Sequence, residues 1–120
     1  MEDNVAKFWS KAAQEYRQTA YQHAERQTRY PFYEVRLALA REMLKDLAPG
    51  RLLDAGCGGG RVLMDFIALG WDGHGCDLVP EMVALAKENL AAAGHDPARI
   101  SACSVSDLSA YPDKHFDLVL

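Results

Sequence analysis

A chain of 120 residues that is 49% hydrophobic and 25% charged has ordinary globular composition and material for one compact domain. Its formal charge of −4 divides unevenly: residues 1–50 carry eight Lys/Arg against seven Asp/Glu, whereas residues 51–120 carry five against ten. An acidic second half repels phosphates, which disfavours nucleic acid as the ligand of residues 51–120 and suits a neutral or cationic one.

The chain opens on "MEDNVAKFWSKAAQEY", without a basic n-region or an unbroken apolar run, and no later stretch reaches the roughly eighteen apolar residues of a membrane span. A soluble, untargeted, cytoplasmic protein is the expectation. Residues 4–24 place Val5, Phe8, Trp9, Ala12, Tyr16 and Ala20 at spacings of three and four, predicting an amphipathic helix with a largely aromatic apolar face. The polar stretch "QHAERQTRY" then reads as a connection, and its His23, Arg26 and Arg29, with Arg17, fit a solvated face better than a lid over an acidic substrate. Pro31 suits the first turn of a second helix, which Tyr33, Leu37, Ala40, Leu44 and Leu47 continue as one buried stripe until "APG" at 48–50 stops it. Residues 1–50 are thus read as a helical lid segment.

From Arg51 the period changes. "RLLDAG" predicts a strand, "RVLMDFIALG" a short helix with Gly70 past its end, and "WDGHGCD" a second strand. "PEMVALAKENLAAAG" predicts a helix with Pro80 in its first turn, Met82, Ala86 and Leu90 on one face, and Gly94 as terminator. "ISACSV" makes a third strand, "SDLSAYPDKH" a polar loop, and "FDLVL" a fourth strand. Alternating strands and helices imply a doubly wound α/β domain over 51–120, with a parallel sheet in the order 3-2-1-4. The apolar run ending at Leu120 has no cover, so the expectation is that residue 120 is not a natural domain end and that the chain self-associates through this open edge.

Cys57, Cys76 and Cys103 are odd in number and lack Cys-x-x-Cys spacing, which argues against a disulfide framework and a zinc site and fits a reducing compartment. Cys76 is expected as buried strand material. His74 and Cys76 alone do not make a metal site.

The densest signal is "LLDAGCGGGRVL" at 52–63, with four glycines in the first turn between strand and helix, the usual place for backbone contact with a ligand. A P-loop requires Gly-Lys-Ser/Thr, but Arg61 and Val62 follow Gly60. A dinucleotide loop requires Gly-x-Gly-x-x-Gly, but counting from Gly56 the third glycine falls one residue early, at Gly60. Asp54, two residues before the first glycine, would bring negative charge towards a pyrophosphate. A cation is the better guest.

"LLDAGCGGGR" resembles motif I of the class I S-adenosylmethionine-dependent methyltransferases, apolar-apolar-Asp/Glu-x-Gly-x-Gly-x-Gly, at the Asp and all three glycines. "GCDLVPEM" resembles the end of that family's second strand, "SVSDLSAYPDKHFDLVL" its post-third-strand acid and fourth strand, and "FWSKAAQEY" the leading helix of its small-molecule members. The resemblance implies S-adenosylmethionine as cofactor and methyl transfer to an O, N, C or S nucleophile of a small-molecule acceptor. It implies that Gly56, Gly58 and Gly60 wall the methionyl and ribose parts, with Ala55 and Cys57 serving by their backbone, while Asp54 orders the loop and faces the ammonium. By the same resemblance Asp77 accepts from the ribose hydroxyls, Leu78 packs on the adenine, and Asp107 and the Leu108 backbone meet its amino edge. Aromatics of the leading helix close over the cofactor in similar proteins, which adds Tyr16 to the contacts and Trp9 as a further candidate. Each acid has a plainer reading, as a helix cap or an Asx turn. No general base is implied. The competing functions are a non-catalytic or truncated cofactor-binding fragment, a polyamine synthase, whose Gly-Gly-Gly-Asp-Gly loop this chain lacks, and an NAD-dependent oxidoreductase.

Overall fold

Four parallel strands, β1 (Arg51–Ala55), β2 (Asp72–Asp77), β3 (Ile100–Ala102) and β4 (Leu118–Val119), form one sheet in the order β3-β2-β1-β4, as the sequence predicts. The structure is a computed structural model that describes residues 2–16 and 31–120, the side chains of 14–16 and 31–33 excepted. The expected helix and connection over 17–30 lie outside the described residues. Strand β1 sits centrally, aligned with β2 from Arg51↔Asp72 to Ala55↔Cys76 and with β4 at Leu52↔Leu118 and Leu53↔Val119. The β4 pairing extends past the two strand residues: Asp117 N donates to Arg51 O at 2.9 Å, Leu120 N to Leu53 O at 2.8 Å and Ala55 N to Leu120 O at 3.1 Å. The third strand is shorter than "ISACSV" suggests, because the chain folds back after Cys103 through an antiparallel bridge between Ser104 and Asp107.

Two helices, α3 (Arg61–Ala68) and α4 (Pro80–Ala92), make the crossovers between successive parallel strands. Helix α3 can lie close to β2 because β2 carries glycine where it passes: a Cβ on Gly73 would stand 2.7 Å from Leu63 Cδ1 and 2.8 Å from Ile67 Cγ1. The resulting core joins Leu52, Leu63, Phe66, Ala86, Leu90 and Ile100, with Trp71 set edge-on to Phe66 at 6.4 Å between ring centroids.

Before the sheet come α1 (Glu2–Tyr16) and α2 (Pro31–Leu44). Leu37 of α2 is buried in the main core, with Ala40 and Leu44 packed partly against it, whereas Leu47 falls beyond the helix end and is exposed. Helix α1 turns a different face inward from the aromatic one expected. Ala13, with Ala6 alongside, packs against Val79, Met82 and Leu85, and Ser10 Oγ donates to Glu81 Oε2 at 2.9 Å. Small side chains at positions 6, 10 and 13 let α1 approach α4 closely; Phe8, 63% exposed, lies off that seam.

The cysteines also depart from expectation. Cys76 is fully buried strand material, but it is disulfide-bonded to Cys103, and only Cys57 is a free thiol. The parallel register that sets Asp77 beside Ala102 brings the two Cα atoms within 5.6 Å, a pairing invisible in a sequence separation of 27. Among the described residues no helix is long and apolar enough to cross a membrane.

Valine at position 73 would force Leu63 and Ile67 out of a filled site. Gly73→Val is therefore expected to lower stability by about 1–3 kcal/mol, read as a lower urea midpoint with an unchanged slope.

Candidate functional site

The turn between β1 and α3 is held by the end of β2. Gly56 N and Cys57 N both donate to Cys76 O, at 2.8 and 2.9 Å, and Gly58 N donates to Asp77 Oδ2 at 2.9 Å. The other oxygen, Asp77 Oδ1, accepts from Val79 N at 2.9 Å, so one carboxylate ties the glycine turn to the start of α4. From α4, Asn89 Nδ2 reaches back to Gly59 O at 2.9 Å. Gly56 and Gly58 adopt φ of 81° and 52°, the left-handed region that residues with a Cβ rarely occupy. The resulting ridge is bare peptide.

That ridge divides a trough at the carboxyl edge of the sheet into two lobes. The first, about 420 Å³, lies between α2 (Arg36, Leu37, Ala40) and the run Asp54–Gly58, with Arg61, Val62 and Leu120 at its border. The second, about 560 Å³, is bounded by Asp77, Leu78, Val79 and Met82 on one side and Ser104 and Val105 on the other. Glu2, Val5 and Trp9 of α1 roof it. Glu2 is anchored there, its Oε1 accepting from Ser104 Oγ at 2.7 Å and Ser106 Oγ at 2.8 Å. Arg36, Gly56 and Gly58 border both lobes.

Asp54 is the unusual group. It is only 9% exposed, and among the described residues no donor is hydrogen-bonded to its carboxylate. Burial, reinforced by the charge of Asp77 and opposed by Arg36, pushes its pKa up to about 6. A carboxylate held without a hydrogen-bonding partner at the wall of a cavity is stabilised by an arriving cation. Burial and the same two acids push the Cys57 thiol far up, so this cysteine is not a nucleophile at neutral pH.

Of the residues singled out in the sequence, Asp54, Ala55, Gly56, Cys57 and Gly58 line the first lobe, and Gly56, Gly58, Asp77 and Leu78 the second. Gly60 lines neither. It precedes α3, where a Cβ would come within 3.1 Å of Leu90 Cδ1 and 3.4 Å of Ala86 Cβ, so it sets the distance between α3 and α4. Asp107 and Leu108 also lie off the lining; Asp107 is exposed and its Oδ1 accepts from Ser109 N at 3.0 Å, the Asx-turn alternative. The bridge from Ser104 to Asp107 folds the loop so that Ser104 and Val105 stand at the trough instead. The Tyr16 side chain, with Arg17, His23, Arg26 and Arg29, lies outside the described residues. Trp9, a further candidate from the sequence, does line the second lobe, whereas sequence reasoning missed Arg36, Val79, Met82, Val105, Glu2 and Val5, although Val5 had a signal in its helical spacing.

A parallel α/β sheet with a glycine ridge and acids beyond its strand ends is the cofactor crevice of a doubly wound domain. Residues 52–120 match the family described as "Methyltransferase domain", and the chain belongs to that family. Among solved structures, the PH0226 protein from Pyrococcus horikoshii OT3 is 25% identical, with a TM-score of 0.62 over 72% of this chain and 41% of its own. The glycopeptide N-methyltransferase MtfA, crystallised with (S)-adenosyl-L-methionine, is 29% identical, with a TM-score of 0.52 over 69% of this chain and 34% of its own. The [4+2]-cyclase SpnF shares the fold over 99% of this chain and 48% of its own, with a TM-score of 0.74 and 20% identity. The chain thus spans about a third to a half of the length of these proteins. No curated protein matches it.

The raised Asp54 pKa has a consequence for the ligand-free chain. In the unfolded chain an aspartate ionises near 3.8, so between that value and about 6 the unfolded state sheds a proton that the folded state keeps, and stability falls as pH rises through this window. Asp54→Asn is expected to remove that slope and, above pH 6, to make the ligand-free chain more stable by up to about 3 kcal/mol, measured by urea unfolding at pH 4 and pH 7.

Proposed function

We propose that the chain forms the cofactor-binding portion of an S-adenosylmethionine-dependent methyltransferase acting on an O, N, C or S nucleophile of a small-molecule acceptor. The observation that carries this reading is the buried Asp54 carboxylate, which has no hydrogen-bond donor among the described residues, beside a bare glycine ridge. That pair of features suits a ligand with a positive charge close to backbone and opposes a pyrophosphate.

The residues present fit the cofactor end to end. When bound, S-adenosylmethionine supplies a sulfonium methyl open to in-line displacement. Asp54 receives the ammonium, directly or through water, and Arg36, on the rim of the same lobe, is a cation within the lining that can meet the carboxylate. Gly56 and Gly58 let the methionyl and ribose parts lie against peptide. Each oxygen of Asp77 spends one acceptor site on a backbone amide and keeps another, so the carboxylate can hold the loop and take both ribose hydroxyls at once. Leu78, Val79, Met82 and Val105 supply the apolar walls a purine needs, under Val5 and Trp9. The protein's part in the reaction is orientation and exclusion of water.

Isothermal titration at pH 7.5 tests the reading: S-adenosylhomocysteine is expected to bind and NADH to give no heat, and the reverse pattern would sink it. Asp54→Asn should weaken S-adenosylhomocysteine binding by about 10- to 100-fold, the worth of a hydrogen bond to a charged group. Because the ammonium favours ionised Asp54, wild-type affinity should fall as pH drops below about 6, and there binding should be more exothermic in buffers of high ionisation enthalpy, which take up the released proton.

A further inference from the structure

Cys76 and Cys103 cross-link the two sides of the second lobe, and this placement has a use beyond holding β2 to β3. Cys76 lies on the ridge side: its carbonyl accepts both Gly56 N and Cys57 N, and its neighbour Asp77 holds Gly58. Cys103 lies on the opposite side, immediately before Ser104 and Val105, and its own N–H donates to Asp77 O at 3.0 Å. The disulfide therefore joins the residue just before Asp77 and Leu78 on one wall to the residue just before Ser104 and Val105 on the other. We infer that the Cys76–Cys103 pair is a redox latch, closed as a disulfide and opened by a dithiol reductant, that sets the spacing of the walls flanking the second lobe.

The chemistry is thiol–disulfide exchange. Cys76 sulfur is wholly buried whereas Cys103 is only half-buried, so the reductant's thiolate attacks Cys103 Sγ and Cys76 leaves as thiolate and takes a proton. The reductant's second thiolate then displaces Cys103 sulfur. Two electrons pass to the pair, the dithiol becomes a disulfide, and two protein thiols result. Two thiols need van der Waals separation where one bond stood. Cys76 is fixed by core packing and by the two amides on its carbonyl, so the displacement falls on Cys103 and the loop after it. Ser104 and Val105 then move away from Leu78 and Val79, and the Glu2 anchor of α1, which depends on Ser104 and Ser106, moves with them. A preorganised wall becomes one that must be ordered by the ligand.

The test compares the chain purified without reductant, the same chain in dithiothreitol, and Cys103→Ser, chosen because the half-buried partner tolerates serine better than the buried one. Thiol titration of the denatured chain should find one thiol per chain without reductant and three with it. Hydrogen exchange over residues 103–107 should be faster in the reduced chain and in Cys103→Ser, and S-adenosylhomocysteine should bind each about tenfold more weakly than the oxidised chain. Three thiols in the air-exposed chain, or equal exchange and affinity in the oxidised and reduced forms, would overturn the latch. The affinity arm rests on the proposed cofactor, and its failure is separable: redox-dependent exchange at 103–107 with no binding in any form supports the latch and removes the cofactor.

Discussion

Three consecutive amides, those of Gly56, Cys57 and Gly58, donate to the last two residues of β2: the first two to the Cys76 carbonyl, the third to the Asp77 side chain. A turn that leaves a central parallel strand has orphaned donors to satisfy, and here they are satisfied sideways, by the neighbouring strand, rather than by a ligand. This is what lets the turn keep its shape with nothing bound. It also ties the strands to this register, since Ala55 lies opposite Cys76 and a slip by one residue would set opposite the turn a residue whose carbonyl points to the other side of β2. The lobes on either side of the ridge, and the direction in which α3 departs, follow from it.

Electrostatics at the crevice work against the fold and in favour of a guest. Burial and the charge of Asp77 raise the cost of ionising Asp54, and Arg36, exposed on α2, offsets that only in part. Such an arrangement is costly in a stability sense and is commonly found where charge is kept for binding. The fold itself decides less than the charges do: a methyltransferase and a [4+2]-cyclase both share it, so the chemistry of the chain rests on its site and not on its topology.

Much of the sheet was legible because hydrophobic period, proline and glycine all agreed over 51–94. Strand order, α4 from Pro80, and the ridge glycines followed from local pattern. What stayed hidden depended on contacts between distant segments. The aromatic stripe of α1 suggested burial, but the helix packs through Ala6 and Ala13, because α4 offers Met82 and Leu85 at a seam that only small residues can enter. The disulfide needed β3 to be in register with β2 before two cysteines far apart in sequence could meet. Arg36 carried no mark, being one charge among many on an amphipathic helix. Asp107 looked like Val105's share of the site because the sequence does not show the tight bridge that swings residues 104 and 105 inward. Gly60 belonged to the motif by spacing, yet its neighbours are Leu90 and Ala86 of the adjacent helix.

The roof of the second lobe joins segments far apart in the chain, for Glu2 is bonded to side chains 102 and 104 residues further on. Closing so long a loop has an entropic cost that local pairing does not repay, so this contact forms late. During synthesis α1 emerges before both α4 and the serines, so its partners are missing until residues 80–106 have left the ribosome. A nascent chain that stopped short of residue 104 would carry its glycine ridge but have nothing to fasten the cover down.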